Sequence, residues 1–437
     1  MLKTQGNLLP IIVIGAGISG LSCAKKLQEA GKNVIVLEAK DRIGGRLHSM
    51  KNKDDVFDLG ASWIHGIENN PIWDIAQKNN IETAVFNYVD SDFFHENGQP
   101  FTIQEKKEFE SYIEQIEEKL TEATDVSALV SLREILNNLE IESESFSPDH
   151  LKHLIFSFFE KYANDPYATD LYGLFSQYQK YEGYFEGDEV IFPHGYSQIL
   201  NDVSSDIDIN IKTNSAVKKI LYDKDVVKVV DHNNTEYLAS KVVVSVPLGV
   251  LKNKSIEFSP QLPEQHQYAI DAVGFGSFNK IFFELDESLD LQKNSDANSF
   301  YYWVGNTWYN VLDLSKIYKK PVYLMLFGGK LSEFVDNATN KEVWDFIYKN
   351  LNTSLKKLPN KPKRIFITRW GVDEFSYGSF SFPSIYHNES LVATLNEAIG
   401  NRIFFTGEHC SLEYAGTVHG AHMNGLETAE EIEAVLK

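Results

Sequence analysis

Gly15, Gly17 and Gly20 stand in the spacing G-x-G-x-x-G, directly after an apolar run and directly before a segment of helical periodicity. Each glycine has its own use: the first permits a tight turn, the second admits a pyrophosphate against the backbone, and the third lets helix and strand pack closely. The phosphate then meets the free N–H groups and positive dipole end of the helix that opens at Ile18 and Ser19. Glu38, with Ala39 after it, ends the next apolar run, where a carboxylate can accept hydrogen bonds from ribose hydroxyls. A lone glycine fingerprint is weak, but strand, helix and distal acid together specify a dinucleotide. Just beyond lies IGGRL, in which Gly44 and Gly45 permit another close backbone approach and Arg46 offers a planar donor fork to phosphate. A further glycine-bearing element sits at the other end of the chain: TGEH, with Gly407 and Glu408, then AGTVHGA, with Gly416, Thr417 and Val418 opening a helix. One long ligand touched by both chain ends fits FAD better than NAD. A helix starting near Thr417 could aim its positive end at a flavin ring, stabilising the anion formed on hydride uptake.

Lys280, within GFGSFNKIFFEL, is the other residue whose type demands a reason. In a strand, Phe278, Lys280, Phe282 and Glu284 share one face and Asn279, Ile281, Phe283 and Leu285 the other, so the second face is expected on the core side. From this segment alone Lys280 reads as a solvated charge snorkelling past apolar neighbours.

The elements that must hold these residues follow from periodicity. PIIVIGAGISG, LSCAKKLQEAG and KNVIVLEAK form a βαβ unit, with Leu21, Ala24 and Leu27 at helical spacing and Gly31 placed to end the helix. From 101 to 165 the pattern is helical: Phe109, Tyr112, Ile113, Ile116 and Leu120 mark one stripe, and Ser147-Pro148 is a start signal. Strand-like segments follow from 211 onward, and a strand, loop and long helix close the chain. With no internal repeat or low-complexity linker, two domains are expected to interleave. The first is a Rossmann-type FAD-binding domain of residues 1–83, 196–272 and 366–437. The second is an α+β substrate-binding domain of 84–195 and 273–365, with helices 101–165 capping the substrate side.

The 437 residues are 43% hydrophobic and 13% aromatic, a globular composition long enough for two cores. No apolar run is long enough to span a membrane. The stretch from 8 to 14 lacks the basic flank and cleavage site of a signal sequence and is expected to be a strand. With only Cys23 and Cys410 there is neither a disulfide framework nor metal-ligand spacing, which fits a cytoplasmic location and no metal. The net charge of −21 argues against a nucleic-acid partner and would attract a polycation, although plain solubility is the simpler reason for the same charge.

The stretches VIGAGISGLSCAKKL, VIVLEAKDRIGGR, FDLGASWIHGIENNP, FPHGYSQI, VVVSVPLGVL, FGSFNKIFFEL, YGSFSFPS and FTGEHCSLEYAGTVHGAHMNGLETA run through the chain in the order of the flavin-containing amine oxidases. The sequence resembles that family over nearly its whole length, the 101–165 segment excepted, and is most similar to its polyamine oxidases. The resemblance implies an α/β fold of amine oxidase, or p-hydroxybenzoate hydroxylase-like, topology. It implies that Lys280 holds a water beside flavin N5, that Val217 meets the adenine through its backbone, and that Gly60, Ala61, Ser62, Trp63 and Trp370 line the flavin or substrate channel. Phe380 and Tyr414 match paired rings flanking the amine, His65 matches a position near the substrate nitrogen, and His194, in the matching FPHGYSQI stretch, is expected to contact the substrate. Where monoamine oxidases carry a flavin-linking cysteine this chain has Ser379, so FAD is expected to be held without a covalent bond. Glu182, Glu186, Asp188 and Glu189 are carboxylates that could hold a polyamine's remaining ammonium groups.

The implied reaction is hydride transfer from the α-carbon of a neutral amine to flavin N5, giving an imine that hydrolyses to an aldehyde and an amine, with dioxygen reduced to hydrogen peroxide. Three other readings stay open at this stage. An L-amino acid oxidase or monoamine oxidase could share the fold, the former needing a basic anchor for the substrate carboxylate. A nicotinamide-dependent dehydrogenase would be colourless, and a non-catalytic flavoprotein binding module would be coloured yet inert.

Overall fold

The computed structural model describes residues 9–86, 88, 90–204, 210–292 and 296–436; Leu8, the first residue of the apolar run expected as a strand, lies outside them. Ile11–Ile14 is the centre of a five-stranded sheet ordered Ile403–Phe405, Lys241–Val244, Ile11–Ile14, Val34–Leu37, Asn210–Lys212, with every neighbour parallel. A parallel sheet is covered on both faces, so its strands read as continuous apolar runs rather than alternating ones; IIVI and KVVV are buried throughout. Register decides where the site forms. Ile14 lies opposite Leu37 and Val244, and Val244 opposite Phe405. The residues following each strand, GAG, EA and TGE, therefore leave the sheet at one common edge. That is how residues nearly 400 positions apart come together, in the crevice beyond the carboxyl ends where open α/β sheets hold ligands.

The helix Ile18–Glu29 packs on the first strand and against the C-terminal helix Val418–Leu436. At Gly20 a β-carbon would lie 2.2 Å from the carbonyl oxygen of Gly15, so this glycine is demanded by helix-on-strand packing.

The second large layer is a six-stranded sheet ordered Arg364–Ile367, Phe278–Glu284, Val322–Gly328, Thr307–Asp313, Ser299–Val304, Asp92–Phe94. Phe278–Glu284 is an interior strand, with Lys280 opposite Leu326. The expectation of one core face and one solvated face needs correcting here, because both are covered. Ile281 and Phe283 pack beneath Trp344 and Ile347, while Phe282 meets Phe57 of the hairpin Ser49–Asn52/Asp55–Asp58 on the opposite side. Lys280 is 4% exposed, so it does not snorkel to water.

The 101–165 region folds as helices Ile103–Thr121, Ala128–Asn138 and Pro148–Asn164. The first opens on a capping box, in which Thr102 accepts from the Glu105 N–H and the Glu105 side chain accepts from the Thr102 N–H. It buries Phe109, Ile113, Ile116 and Leu120, while Tyr112 is only half-buried, its hydroxyl donating to the Glu142 carbonyl. Trp308 Nε1 donates to the Leu154 carbonyl at 3.0 Å, tying the third helix to the sheet. No described helix is long and apolar enough to cross a membrane.

Candidate active site

A cavity of about 1400 Å³ is lined by the carboxyl edge of the parallel sheet, by the strand carrying Lys280, and by helices Ile103–Thr121 and Pro148–Asn164. Ligand pockets usually enclose about 300–1,000 Å³, so this one has room for a dinucleotide and a second molecule.

At the sheet edge, Gly17 and Gly44 pair as a parallel bridge and the Gly44 N–H donates to the Ala16 carbonyl at 2.8 Å, which joins the two glycine segments into one cradle. Gly15, at φ +106, is in the region that favours glycine, and a β-carbon there would meet the Ser245 carbonyl. Gly17 differs: its backbone is extended (φ −72, ψ 173) and a β-carbon would meet no protein atom within 4 Å. Nothing in the protein requires glycine there, whereas a ligand pressed against the backbone would. The helix beginning at Ile18 has no side-chain cap, so its first N–H groups face the cavity at the dipole's positive end. Glu38 accepts from the N–H groups of Ala16 at 2.7 Å and Lys40 at 2.9 Å, one on each oxygen, and each oxygen keeps a second lone pair for a hydroxyl. Ile18, Ser19, Ala39, Gly45, Val217, Trp370, Gly407, Gly416, Thr417 and Val418 also line this part of the cavity.

Arg46 and Glu408 face the cavity but are engaged with each other at 2.7 Å. Arg46 Nη1 also donates to the Ser379 carbonyl, and Glu408 Oε2 accepts from the Gly416 N–H at 2.8 Å and from Ser381. The expected phosphate fork of Arg46 is thus partly spent on bracing the loop from the far end of the chain. Burial pushes the Glu408 carboxyl up, and Arg46, with its neighbours, outweighs this to hold it below its usual range.

Several buried polar atoms on the wall have no protein partner: Trp63 Nε1, both ring nitrogens of His409, and His419 Nε2. Buried polar groups are nearly always paired, so these mark a wall made for a polar ligand. Together with the free space over Gly17 and the uncapped helix, they fit a flavin dinucleotide. Cys23 and Cys410, both buried, do not line the cavity, so no cysteine thioether to a flavin can form.

At the other end, Lys280 Nζ donates to the Gly60 carbonyl at 2.5 Å, the Asp58 carbonyl at 3.2 Å and Ser62 Oγ, and lies 4.8 Å over the Trp63 ring. Burial pushes its ammonium down and the nearby Asp58 charge opposes this; burial likewise pushes the Asp58 carboxyl up. His65, about half exposed, holds Glu189 at 2.8 Å and the Tyr88 hydroxyl at 2.7 Å through Nδ1. A carboxylate only accepts, so Nδ1 carries a proton, and in the neutral ring Nε2 offers a lone pair.

The structure does not bring every expected residue to the wall. His194 is at the surface, paired with Glu82 at 3.1 Å and 64% exposed, because the turn that carries it points away from the cavity; it is withdrawn as a substrate contact. Tyr414 is not a lining residue either: its ring stacks on Phe185 at 5.2 Å and is edge-on to His419, while Phe380 lines the cavity beside Phe278. The expected pair of rings is therefore reduced to Phe380. Gly20 supports the cradle from behind. Glu182 does line the cavity, accepting from the Tyr167 hydroxyl at 2.5 Å, and burial raises its carboxyl; Glu186 and Asp188 do not reach it.

Sequence reasoning missed two groups. Asp58, beneath Lys280, sits in FDLGASW without any distinguishing signal. Glu110, Glu114 and Glu117 line the cavity from helix Ile103–Thr121. Their i, i+4, i+7 spacing was legible as one helix face, but a charged face ordinarily reads as solvated. Burial, with the charges of Glu114 and Glu182, pushes the Glu117 carboxyl up to about 7.

A family model described as flavin containing amine oxidoreductase matches residues 18–433. The chain is 30% identical to polyamine oxidase 3 of Oryza sativa subsp. japonica, covering 96% of this chain and 88% of that protein. It is 28% identical to probable polyamine oxidase 4 of Arabidopsis thaliana, covering 98% and 88% respectively. Among solved structures, a putrescine oxidase double mutant redesigned for cofactor binding superposes with a TM-score of 0.76 at 18% identity, covering 97% of this chain and 99% of that one, which establishes the likeness of fold.

Proposed function

The chain belongs to the family of flavin containing amine oxidoreductases, and from that premise we propose that it oxidises a polyamine at the carbon beside one nitrogen, with dioxygen as acceptor and hydrogen peroxide as product. It is a flavin-dependent amine oxidase, and the dinucleotide-sized cavity over a glycine loop makes the flavin FAD, held without a covalent bond. The observation that carries the polyamine reading is the column of Glu110, Glu114 and Glu117 on the cavity wall, with Glu182 facing Glu117. Successive members are separated by about 6 Å and about 4.5 Å of helix rise. Neighbouring nitrogens of a polyamine, three or four methylenes apart, lie roughly 5–6 Å from each other. Among the described residues Glu117 has no cationic partner, so a substrate ammonium would offset the burial and like charge that raise its pKa.

The basic residues on the wall argue in the same direction. Lys40 is paired with Asp373, Arg46 with Glu408, Lys161 with Asp165, and Lys280 is seated on the 58–62 loop. None is left to anchor a substrate carboxylate, which disfavours an amino acid substrate.

When bound, the flavin supplies the electron sink that accepts the hydride at N5 and passes the electrons to oxygen. The chain's residues prepare the amine. The neutral Nε2 of His65 takes the proton of the arriving ammonium, because only a free lone pair can expel the hydride, and Glu189 and Tyr88 hold the ring in the required tautomer. Phe380 and Trp63 wall the reacting end, and the carboxylate column keeps the remaining ammonium groups charged. Lys280 is the candidate for holding a water at the reacting edge, in exchange for the longest of its loop hydrogen bonds, that to the Asp58 carbonyl at 3.2 Å.

Glu117→Gln is expected to raise KM for spermine by roughly tenfold, about 1.4 kcal/mol, while leaving that for a monoamine unchanged. Equal effects on both would remove the column from substrate recognition. The stability sign is separate. Glu117 binds its proton more tightly folded than unfolded, so stability falls as pH rises from the unfolded value of roughly 4.3 towards about 7. The glutamine variant lacks that decline, which melting curves across this window would reveal.

A further inference from the structure

Lys280 is bound to one short loop more completely than its chemistry requires. Asp58 O, Gly60 O and Ser62 Oγ give three acceptors for the three N–H bonds of an ammonium, with Trp63 as a fourth face. A neutral amine has two N–H bonds, so its third contact survives only if the Ser62 hydroxyl turns from the Asp58 carbonyl to donate to the amine lone pair. Ser62 Oγ itself donates to the Asp58 carbonyl at 3.3 Å, so the seat is internally linked. The Asp58 carboxylate beneath is 8% exposed and accepts from Ser49 Oγ at 2.5 Å and from the Tyr196 N–H at 3.0 Å. On the Lys280 side the packed groups are the Trp63 ring, Thr368 and Leu326, all uncharged. On the Asp58 side they are the hydroxyls of Tyr196 and Tyr318, whose ionisation Asp58 opposes. Asp55, on the same hairpin strand, is already paired with Lys320 and Arg364, the latter also with Glu284.

We propose that Asp58 and Ser62 are positioning residues for Lys280. Asp58 supplies the ammonium's counter-charge and Ser62 its hydroxyl seat, so that the proton on Lys280 and the grip on the Gly60–Trp63 loop are held or lost together. The consequence is that Lys280 cannot release its proton without turning the Ser62 hydroxyl away from the Asp58 carbonyl or loosening the segment that bears Trp63 and leads to His65. This is independent of which amine is oxidised.

The test titrates Lys280 directly, without turnover, in holoenzyme carrying lysine labelled with carbon-13 at Cε. The resonance absent from Lys280→Met protein is that of Lys280. In the native chain it titrates below the ordinary lysine range, and Trp63 emission changes over the same pH interval. Asp58→Asn moves the midpoint to lower pH, roughly tenfold weaker proton binding, and Ser62→Ala moves it the same way by roughly threefold. Should Asp58→Asn fail to fold, the serine variant carries the test alone. A midpoint unmoved by the variants that fold would overturn the proposal.

Discussion

Replacing Lys280 with methionine slows flavin turnover by about a hundredfold or more and leaves FAD bound. The size follows from what the side chain can do: a positioned group that moves or orients a proton contributes about 10²–10⁴ in rate. Retention of FAD follows from where it sits, since Lys280 grips the loop of Gly60 and Ser62 rather than the glycine cradle. Methionine keeps an unbranched stem of similar volume, so packing against Trp63 survives. The cost is the Gly60 carbonyl without its Lys280 donor, about 1–3 kcal/mol if no water replaces the ammonium, with the Asp58 carbonyl left to Ser62 Oγ, set against the removal of a buried charge. Separate stopped-flow measurement of anaerobic reduction and of reoxidation by oxygen assigns the lost rate to one half-reaction. Native rates in both would take Lys280 out of the chemistry.

The second large effect separates two glycines of one motif. Gly17→Val places its β-carbon in space where no protein atom lies within 4 Å, on an extended backbone that valine adopts freely. The apoprotein should melt within about 1 °C of native, a change well inside what surface substitutions cause. Its FAD affinity should fall by at least about a hundredfold, about 2.7 kcal/mol, because the isopropyl group occupies the place of the pyrophosphate. Gly20→Ala behaves in the opposite way. Its β-carbon would stand 2.2 Å from the Gly15 carbonyl oxygen, so the helix must shift off the strand at a cost of about 3 kcal/mol or more, and the apoprotein itself loses stability. Apoprotein melting with FAD titration by flavin fluorescence distinguishes the two; equal FAD affinity in Gly17→Val and native protein would reject the cradle.

These contrasts show which parts of the site the residues disclosed. The glycine loop, Glu38 and the TGE strand end were legible because backbone chemistry ties residue type to position: only certain spacings let strand, turn and helix meet a phosphate. The parallel sheet was legible for the same reason, in IIVI and KVVV, where continuous apolar runs signal cover on both faces. Lys280 was misread from its own strand because alternation identifies which residues share a face, not what covers that face. The hairpin carrying Phe57 and Asp58 is more than 200 residues earlier in the chain, and only tertiary packing brings it over the lysine. The column Glu110, Glu114 and Glu117 was hidden by the same limit, since nothing in a charged helical stripe tells solvent from a cavity. His194 and Tyr414 were carried over by likeness of motif alone, and motif position does not fix the direction in which a loop side chain points.

The account as a whole holds that one continuous cavity keeps FAD at the sheet edge and a polyamine against the helices, with Lys280 and His65 where the two meet. Anaerobic mixing of FAD-saturated protein with spermine, followed at the flavin band at about 450 nm, tests this most directly. The account predicts rapid and complete bleaching, much faster than with a monoamine of equal chain length. Protein that takes up no FAD, or flavin that keeps its colour in spermine while a monoamine or an amino acid bleaches it, would contradict it.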